Sequence, residues 1–351
     1  MHWTPCGTYN VNYTKDMAIF RTKSHWVSLT IFLVVLFTLP LYCGRYYLTL
    51  LSMMGITIIA VQGLGVLTGY AGQISIGQAA FVGTGAYISV FLIQQYECSF
   101  LISLILAGVG SGMIGLFFGL PALRIKGFYL AMSTLAAQLI LGWIFLHLES
   151  FTGGTEGLHV EHATILGIVI DTPQRKYWMI MFFVTVTVYI IKNMMRTSVG
   201  RAIVAIRDND LAAEVMGINV MRYKLLAFFL SCFFAGIAGA VYAHYVGFIN
   251  PVQFTMQSSI LYLGMLIVGG MGSIMGAIYG VVFLMLFEEL AFAISPTLTI
   301  MFQSLGAQFF SAISLAFYAL IIIIFLIYQP RGLNHLWDIL KRMYRLYPFS
   351  H

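Results

Sequence analysis

Charge is what this 351-residue chain has least of. Asp, Glu, Lys and Arg make up 9 % of it, against about 25 % in an average soluble protein. Apolar residues fill 60 % and mean hydropathy is +0.91. Such a chain cannot cover a water-facing surface, so it reads as a polytopic membrane protein whose solvent is lipid. Catalytic signatures are missing as well. No G-x-x-x-x-G-K-[ST] occurs, nor any Gly-Lys pair, so the chain has no Walker A loop to cradle ATP phosphates. HExxH, CxxC and GxSxG are absent too. The four cysteines, Cys6, Cys43, Cys98 and Cys232, are too far apart for a metal or redox pair. Cys43 and Cys232 fall in apolar runs, where a thiol is a small hydrophobe. Histidines are dispersed, with His147 and His244 near helix ends, where hydrogen bonding explains them better than metal ligation. Neither an enzyme nor a metal site is expected. No cleavable signal peptide is expected either, because the first apolar run, from Trp26, is too long and lacks a small-residue cleavage site.

What is present is a series of apolar runs near the ~20 residues that a spanning helix needs. Ten are drawn, at 26–43, 47–68, 79–96, 99–121, 127–147, 177–195, 225–246, 257–270, 276–294 and 311–328. With the N-terminus in the cytoplasm, alternation places fifteen of the eighteen Lys and Arg inside. These are Lys15, Arg21, Lys23, Arg124, Lys126, six in the 192–224 loop, Arg331, Lys341, Arg342 and Arg345. Only Arg45, Arg175 and Lys176 fall outside, together with Glu97, Glu149, Glu156, Glu161 and Asp171. That asymmetry is the positive-inside rule. It also accounts for the net charge of +6 without a nucleic-acid-binding patch. The expectation is an all-α polytopic protein of the cell inner membrane, with about ten transmembrane helices and both termini cytoplasmic. A cytoplasmic tail (1–25) precedes a transmembrane domain (26–328), which carries an extracytoplasmic loop at 148–176 and a cytoplasmic loop at 192–224. A basic tail follows at 329–351, where Trp337, Tyr344 and Tyr347 suit the headgroup level.

Two connections on the cytoplasmic side carry no charge. GYAGQISIGQAAFVGTGAY (69–87) is too apolar for a solvated loop and too Gly-rich for a regular helix. It reads either as a broken or re-entrant segment, which protein must bury or water must line, or as close helix packing through small residues. In the first case Gly69 and Gly72 mark the break, and Gln73, Ser75 and Gln78 are free for a translocated ligand. VGGMGSIMGAIYG (268–280) repeats glycine at 272, 276 and 280, and the fourth run does so at Gly108/Gly112 and Gly115/Gly119. For these, packing is the better reading. GYAGQIS (69–75) and GFINPVQ (247–253) fall on opposite sides, as an inverted repeat would require.

Energy for transport has few places to enter. Ion-driven carriers bury acidic groups in the bilayer, and here only Glu288 and Glu289 approach mid-helix, where an interfacial pair is the stronger reading. The 192–224 loop, KNMMRTSVGRAIVAIRDNDLAAEVMGINVMRYK, holds six of the cations and three of the twelve acids. Ser198 is placed to cap a helix through GRAIVAIR, and Asp208-Asn209-Asp210 to cap a second, LAAEVM, which Gly217 ends. Asp208 and Asp210 would favour that second helix N-terminus electrostatically. Two turns are marginal alone. Leu211, Val215 and Met216 form an apolar edge flanked by Arg201, Arg207, Arg222 and Lys224, fit either to enter a groove on another protein or to fold back on the loop's own helix ends.

Residues 200–251 resemble the permeases of branched-chain amino-acid ABC importers of the LivM type. The similarity extends to 69–87, to LRIKGFYLAMSTLA (123–136), TGGTEGL (152–158), GGMGSIMGA (269–277) and QPRGL (329–333), in order over roughly 45–335. In ABC importer permeases an E-A-A-x-x-x-G helix docks on the ATPase. Here Leu211-Ala212-Ala213 keeps the spacing to Gly217, but Leu211 stands where that family usually has Glu, and the acid appears at Glu214. The resemblance implies an ABC importer permease fold with a docking segment at Arg207, Asp208 and Asp210 through Gly217. It implies two cytoplasmic ATPases, which bind the ATP and Mg that this chain does not. A second related permease chain and an extracytoplasmic binding protein complete the machine. Urea or a short amide is the alternative substrate within that family, and an ion-driven carrier acting alone is the alternative of another class.

Overall fold

The computed structural model describes residues 23–123, 129–161, 163–165, 167–301, 319–329 and 331–346. Arg124 and Lys126, the start of the run at 311–328, most of the 1–25 tail, Pro330 and Tyr347 lie outside the described residues. The long helices are α1 (Lys23–Tyr42), α2 (Arg45–Leu64), α3 (Gln78–Tyr96), α4 (Phe100–Leu123) and α5 (Tyr129–His147). After the short α6 (Glu149–Thr152) come α7 (Pro173–Met194), α8 (Ser198–Asp208), α9 (Asp210–Val215) and α10 (Val220–Val246). The chain continues through α11 (Met256–Gly269), α12 (Ile274–Met301), α13 (Ala319–Tyr328) and α14 (Leu333–Leu346). Among the described residues six helices are long and apolar enough to cross a membrane, and α13 with α14, bent by 45°, would make a seventh.

Lipid supplies no hydrophobic drive for helices to associate, so close backbone approach must do more of the work. α10 is the central helix, and its glycines show how. A Cβ on Gly239 would enter the backbone of Val82 and Ala86 on α3, and one on Gly236 would lie 2.7 Å from the Ala107 carbonyl on α4. On α4, Gly108, Gly112, Gly115 and Gly119 receive Phe233, Phe229, Cys232 and Phe228 of α10. Gly276 and Gly280 likewise face the C-terminal backbone of α11. Gly272 does not share that face: it sits before α12 in a turn with φ +82°.

One end of the bundle is held by the 148–176 loop. Its strand β1 (Leu158–His159) pairs antiparallel with β4 (Phe248–Ile249), just after α10, in the register Leu158↔Ile249. A second small hairpin joins β2 (Thr164–Ile165) to β3 (Ile168–Val169). Lys176 donates to the Tyr245 carbonyl at 2.9 Å, satisfying an orphan C-terminal group of α10. Midway along α12, the Glu289 carboxylate accepts from the Tyr46 hydroxyl in the first turn of α2.

Candidate functional site: the coupling segment and the break in α2

The polar loop folds as two helices. α8 buries Ala202, Ile203 and Ile206. Its N-cap is Thr197 rather than Ser198, and the Thr197 hydroxyl turns back to donate to the Met194 carbonyl at 2.7 Å, leaving no side-chain cap. α9 is capped by Asn209, whose Oδ1 accepts from the Ala212 amide at 3.0 Å. Asp208 therefore closes α8 instead of opening α9, while Asp210 stands in the first turn of α9 and pairs with Lys224 of α10 at 3.7 Å. Gly217, at φ +84°, ends the motif, with the Ile218 amide returning to the Ala213 carbonyl at 3.0 Å. Only a residue without a Cβ adopts that left-handed turn cheaply.

This framework decides which side of α9 faces out. Ala213 is 4 % exposed, whereas Leu211 is 59 %, Val215 87 % and Met216 82 % exposed. Ala212 and Glu214 are exposed as well. The apolar edge thus stands clear of the loop's own helix ends among the described residues.

The segment at 69–87 is a broken helix over its first part. α2 runs into a π-helical turn at Gly65–Tyr70; such turns recur at functional sites. Gly72 then turns the chain at φ +68°, and residues 71–77 are irregular until α3 starts at Gln78. Gly83 and Gly85 further on serve packing, against Phe254 and Gly236. The two alternatives drawn from sequence therefore apply to different halves.

Polar groups in the break divide into two sets. The N-terminus of α3 is closed by side chains: Ser259 Oγ accepts from the Ala79 amide at 2.8 Å, Gln138 Oε1 from Ala80 at 2.9 Å, and Thr134 Oγ1 from Ile76 at 3.0 Å. Gln78 is engaged at both ends, donating to the Ala60 carbonyl at 3.0 Å and accepting from the Ser231 hydroxyl at 3.3 Å. Gln73 and Ser75 are also buried, yet both amide atoms of Gln73 and the hydroxyl of Ser75 have no hydrogen-bond partner among the described residues. A buried polar group left unmatched costs ~1–3 kcal/mol, which a translocated polar ligand or water would relieve. Thr134, Gln138 and Ser259 escaped the sequence reading; their signal was amide and hydroxyl groups inside otherwise apolar runs.

Arg207 joins the two structures. Its Nη1 donates to the Gly69 carbonyl at 3.1 Å, while Nε and Nη2 hold Asp208 at 3.0 and 2.9 Å. Its stem lies on Gly72, where an added Cβ would sit 2.8 Å from Arg207 Cγ. Gly69 in turn abuts the Gly272 backbone, and Gly270 abuts Gly332. Four connections far apart in sequence meet here.

An all-helical, multi-pass membrane protein is the class this fold defines. The chain belongs to the family described as branched-chain amino acid transport system, permease component, whose model matches residues 46–326. It is 30 % identical over 282 residues to the high-affinity branched-chain amino acid transport system permease protein LivM of Salmonella typhimurium, covering 74 % of this chain and 66 % of that one. It is likewise 30 % identical over 288 residues to LivM of Escherichia coli, covering 74 % and 68 %. The chain thus spans about two thirds of the length of these curated relatives. A shorter similarity, 34 % over 94 residues and 25 % of this chain, runs to the autoinducer 2 import system permease protein LsrC of Klebsiella pneumoniae, 27 % of whose length it covers. No solved structure matches the chain.

Proposed function

We propose that this chain is the transmembrane permease subunit of an ATP-driven importer for branched-chain or related amino acids. The observation that carries the reading is the exposed edge of Leu211, Val215 and Met216 on a capped two-turn helix, wired through Arg207 to a break in α2. One of two cytoplasmic ATPases docks on α9 within the coupling segment Arg207 to Gly217, with apolar contact at the centre, Asp208, Asp210 and Glu214 at the rim, and Arg207 turned to the membrane domain. The two ATPases bind ATP and Mg, so no cofactor belongs to this chain. A second, related permease chain completes the pathway, and an extracytoplasmic binding protein delivers the substrate. Gly69 and Gly72 allow the break, and Gln73 and Ser75 offer unmatched polar groups to the passing solute. Gln78 holds that segment in shape.

Ten spans with both termini cytoplasmic are part of the proposal, and the contacts support them. At one locus meet the connections α2–α3, α7–α10, α11–α12 and α13–α14, each preceded by an even number of spans. At the other end β1 meets β4 and Lys176 meets Tyr245, from connections each preceded by an odd number of spans. A miscounted helix would mix the two sets. α2–break–α3 and α10–break–α11 also recur in the same order, as an inverted repeat would have it.

The test is uptake by proteoliposomes holding the complex with its ATPases, supplied with binding protein and ATP. Leucine uptake that needs ATP and is not competed by urea is the expected result. Uptake by this chain alone, driven by an ion gradient and abolished by Glu288→Gln, would replace the reading with an ion-driven carrier.

A further inference from the structure

We infer that Arg207 is the positioning residue that carries movement of the docked α9 into the membrane domain; this rests on the permease reading above. Arg207 is the penultimate residue of α8, and Asn209 alone separates α8 from α9. A displacement of α9 therefore reaches Arg207 through only two intervening residues, Asp208 and Asn209. The Arg207 side chain is 37 % exposed, and its guanidinium is held on one side by Asp208. On the other it holds the Gly69 carbonyl, an acceptor at the C-terminal end of the π-turn of α2. Carbonyls at that position have no intrahelical partner, and the end carries partial negative charge.

The surroundings leave little slack. Gly72 packs on the arginine stem, and a Cβ on Gly272 would lie 3.2 Å from Nη1. Because the Gly69 and Gly272 backbones are in contact, a pull on Gly69 is shared with the turn between α11 and α12. Gly270 passes the same contact to Gly332 at the base of α14. Side chains at these glycines would separate the backbones and insert compressible volume into the link. The Arg fork is suited to the task because its planar donors engage two acceptors in fixed geometry, which an ammonium cannot reproduce.

The reconstituted complex tests this, read as substrate moved per ATP hydrolysed and as stimulation of hydrolysis by loaded binding protein. Arg207→Ala is expected to lower both at least ~10-fold while the ATPases still co-purify. Arg207→Lys keeps the charge but only one directed bond, and should fall between Ala and wild type. Leu211→Asp has the opposite signature, weakened co-purification with a near-normal ratio in the complexes that remain. An Arg207→Ala complex with a wild-type ratio overturns the assignment. So does loss of the ATPases from a monodisperse Arg207→Ala permease, since the residue would then be a docking contact. If the Ala chain does not fold, a wild-type ratio in Arg207→Lys overturns it equally. A wild-type complex without stimulation or transport would instead fail the permease reading on which the assignment rests.

Discussion

Two glutamines five residues apart have opposite local balances. Gln78 has matched donors and acceptors on α2 and α10, so Gln78→Ala removes the bond from the Ser231 hydroxyl and the bond to the Ala60 carbonyl. Each lost buried hydrogen bond costs ~1–3 kcal/mol, and thermal unfolding of the purified protein should show a clear drop in midpoint. Gln73 has no hydrogen bond to lose among the described residues. Gln73→Ala should leave the midpoint unchanged or raise it, and weaken substrate concentration dependence in transport by about tenfold. Equal destabilisation by the two substitutions would remove Gln73 from the pathway. From sequence these residues look alike, since both are amides in a Gly-rich apolar stretch. The difference lies with partners 18 and 153 positions away, which no local pattern reports. The same limit hid Thr134, Gln138 and Ser259, whose bonds to the start of α3 span 58 to 180 positions.

Elements are more legible where one local rule decides them. Each of the ten apolar runs drawn from sequence coincides with a helix, the last over Ala319–Tyr328 alone, because long apolar runs have no other way to satisfy their backbone in lipid. α9 was equally readable, since a capping Asn before it and a glycine after it bound two turns with little freedom. What failed were one-residue choices, Thr197 for Ser198 and Asn209 for its flanking acids, where competing side chains offer the same hydroxyl or carbonyl oxygen. The β1–β4 pairing was invisible because strands of two residues carry no periodicity. The outward face of α9 yields a sharp expectation. Leu211→Asp with Val215→Asp should weaken ATPase binding to the permease at least ~10-fold, because central apolar anchors of an interface are worth ~2 kcal/mol or more each. Glu214→Gln, at the rim, should change it by about fivefold or less, as exposed charge pairs are worth ~1 kcal/mol at most. Pull-down of the ATPases by full-length permease separates the two. If the double variant bound as wild type, α9 would not be the docking element.

At the scale of the whole molecule the weakest link in the span count is α11. Its 14 residues, at about 1.5 Å each, reach only ~21 Å, short of the ~30 Å hydrocarbon core. The preceding turn from Pro251 extends the crossing segment to 19 residues, and its capping box at Asn250 and Gln253 makes that turn rigid enough to serve as part of the span. If α11 instead entered and left on one side, every later element would invert, and Gly272 would part from Gly69. That separation contradicts the contact between the two backbones and their shared arginine. Exposed positions flank the segment, Val252 at 71 % and Met271 at 51 %. In a cysteine-free background, Val252→Cys should react with a membrane-impermeant maleimide added to intact cells. Met271→Cys should react only after permeabilisation, as should Glu214→Cys on α9. Labelling of Met271→Cys from outside would make α11 a re-entrant segment, reduce the spans to nine and place α14 on the far side of the membrane.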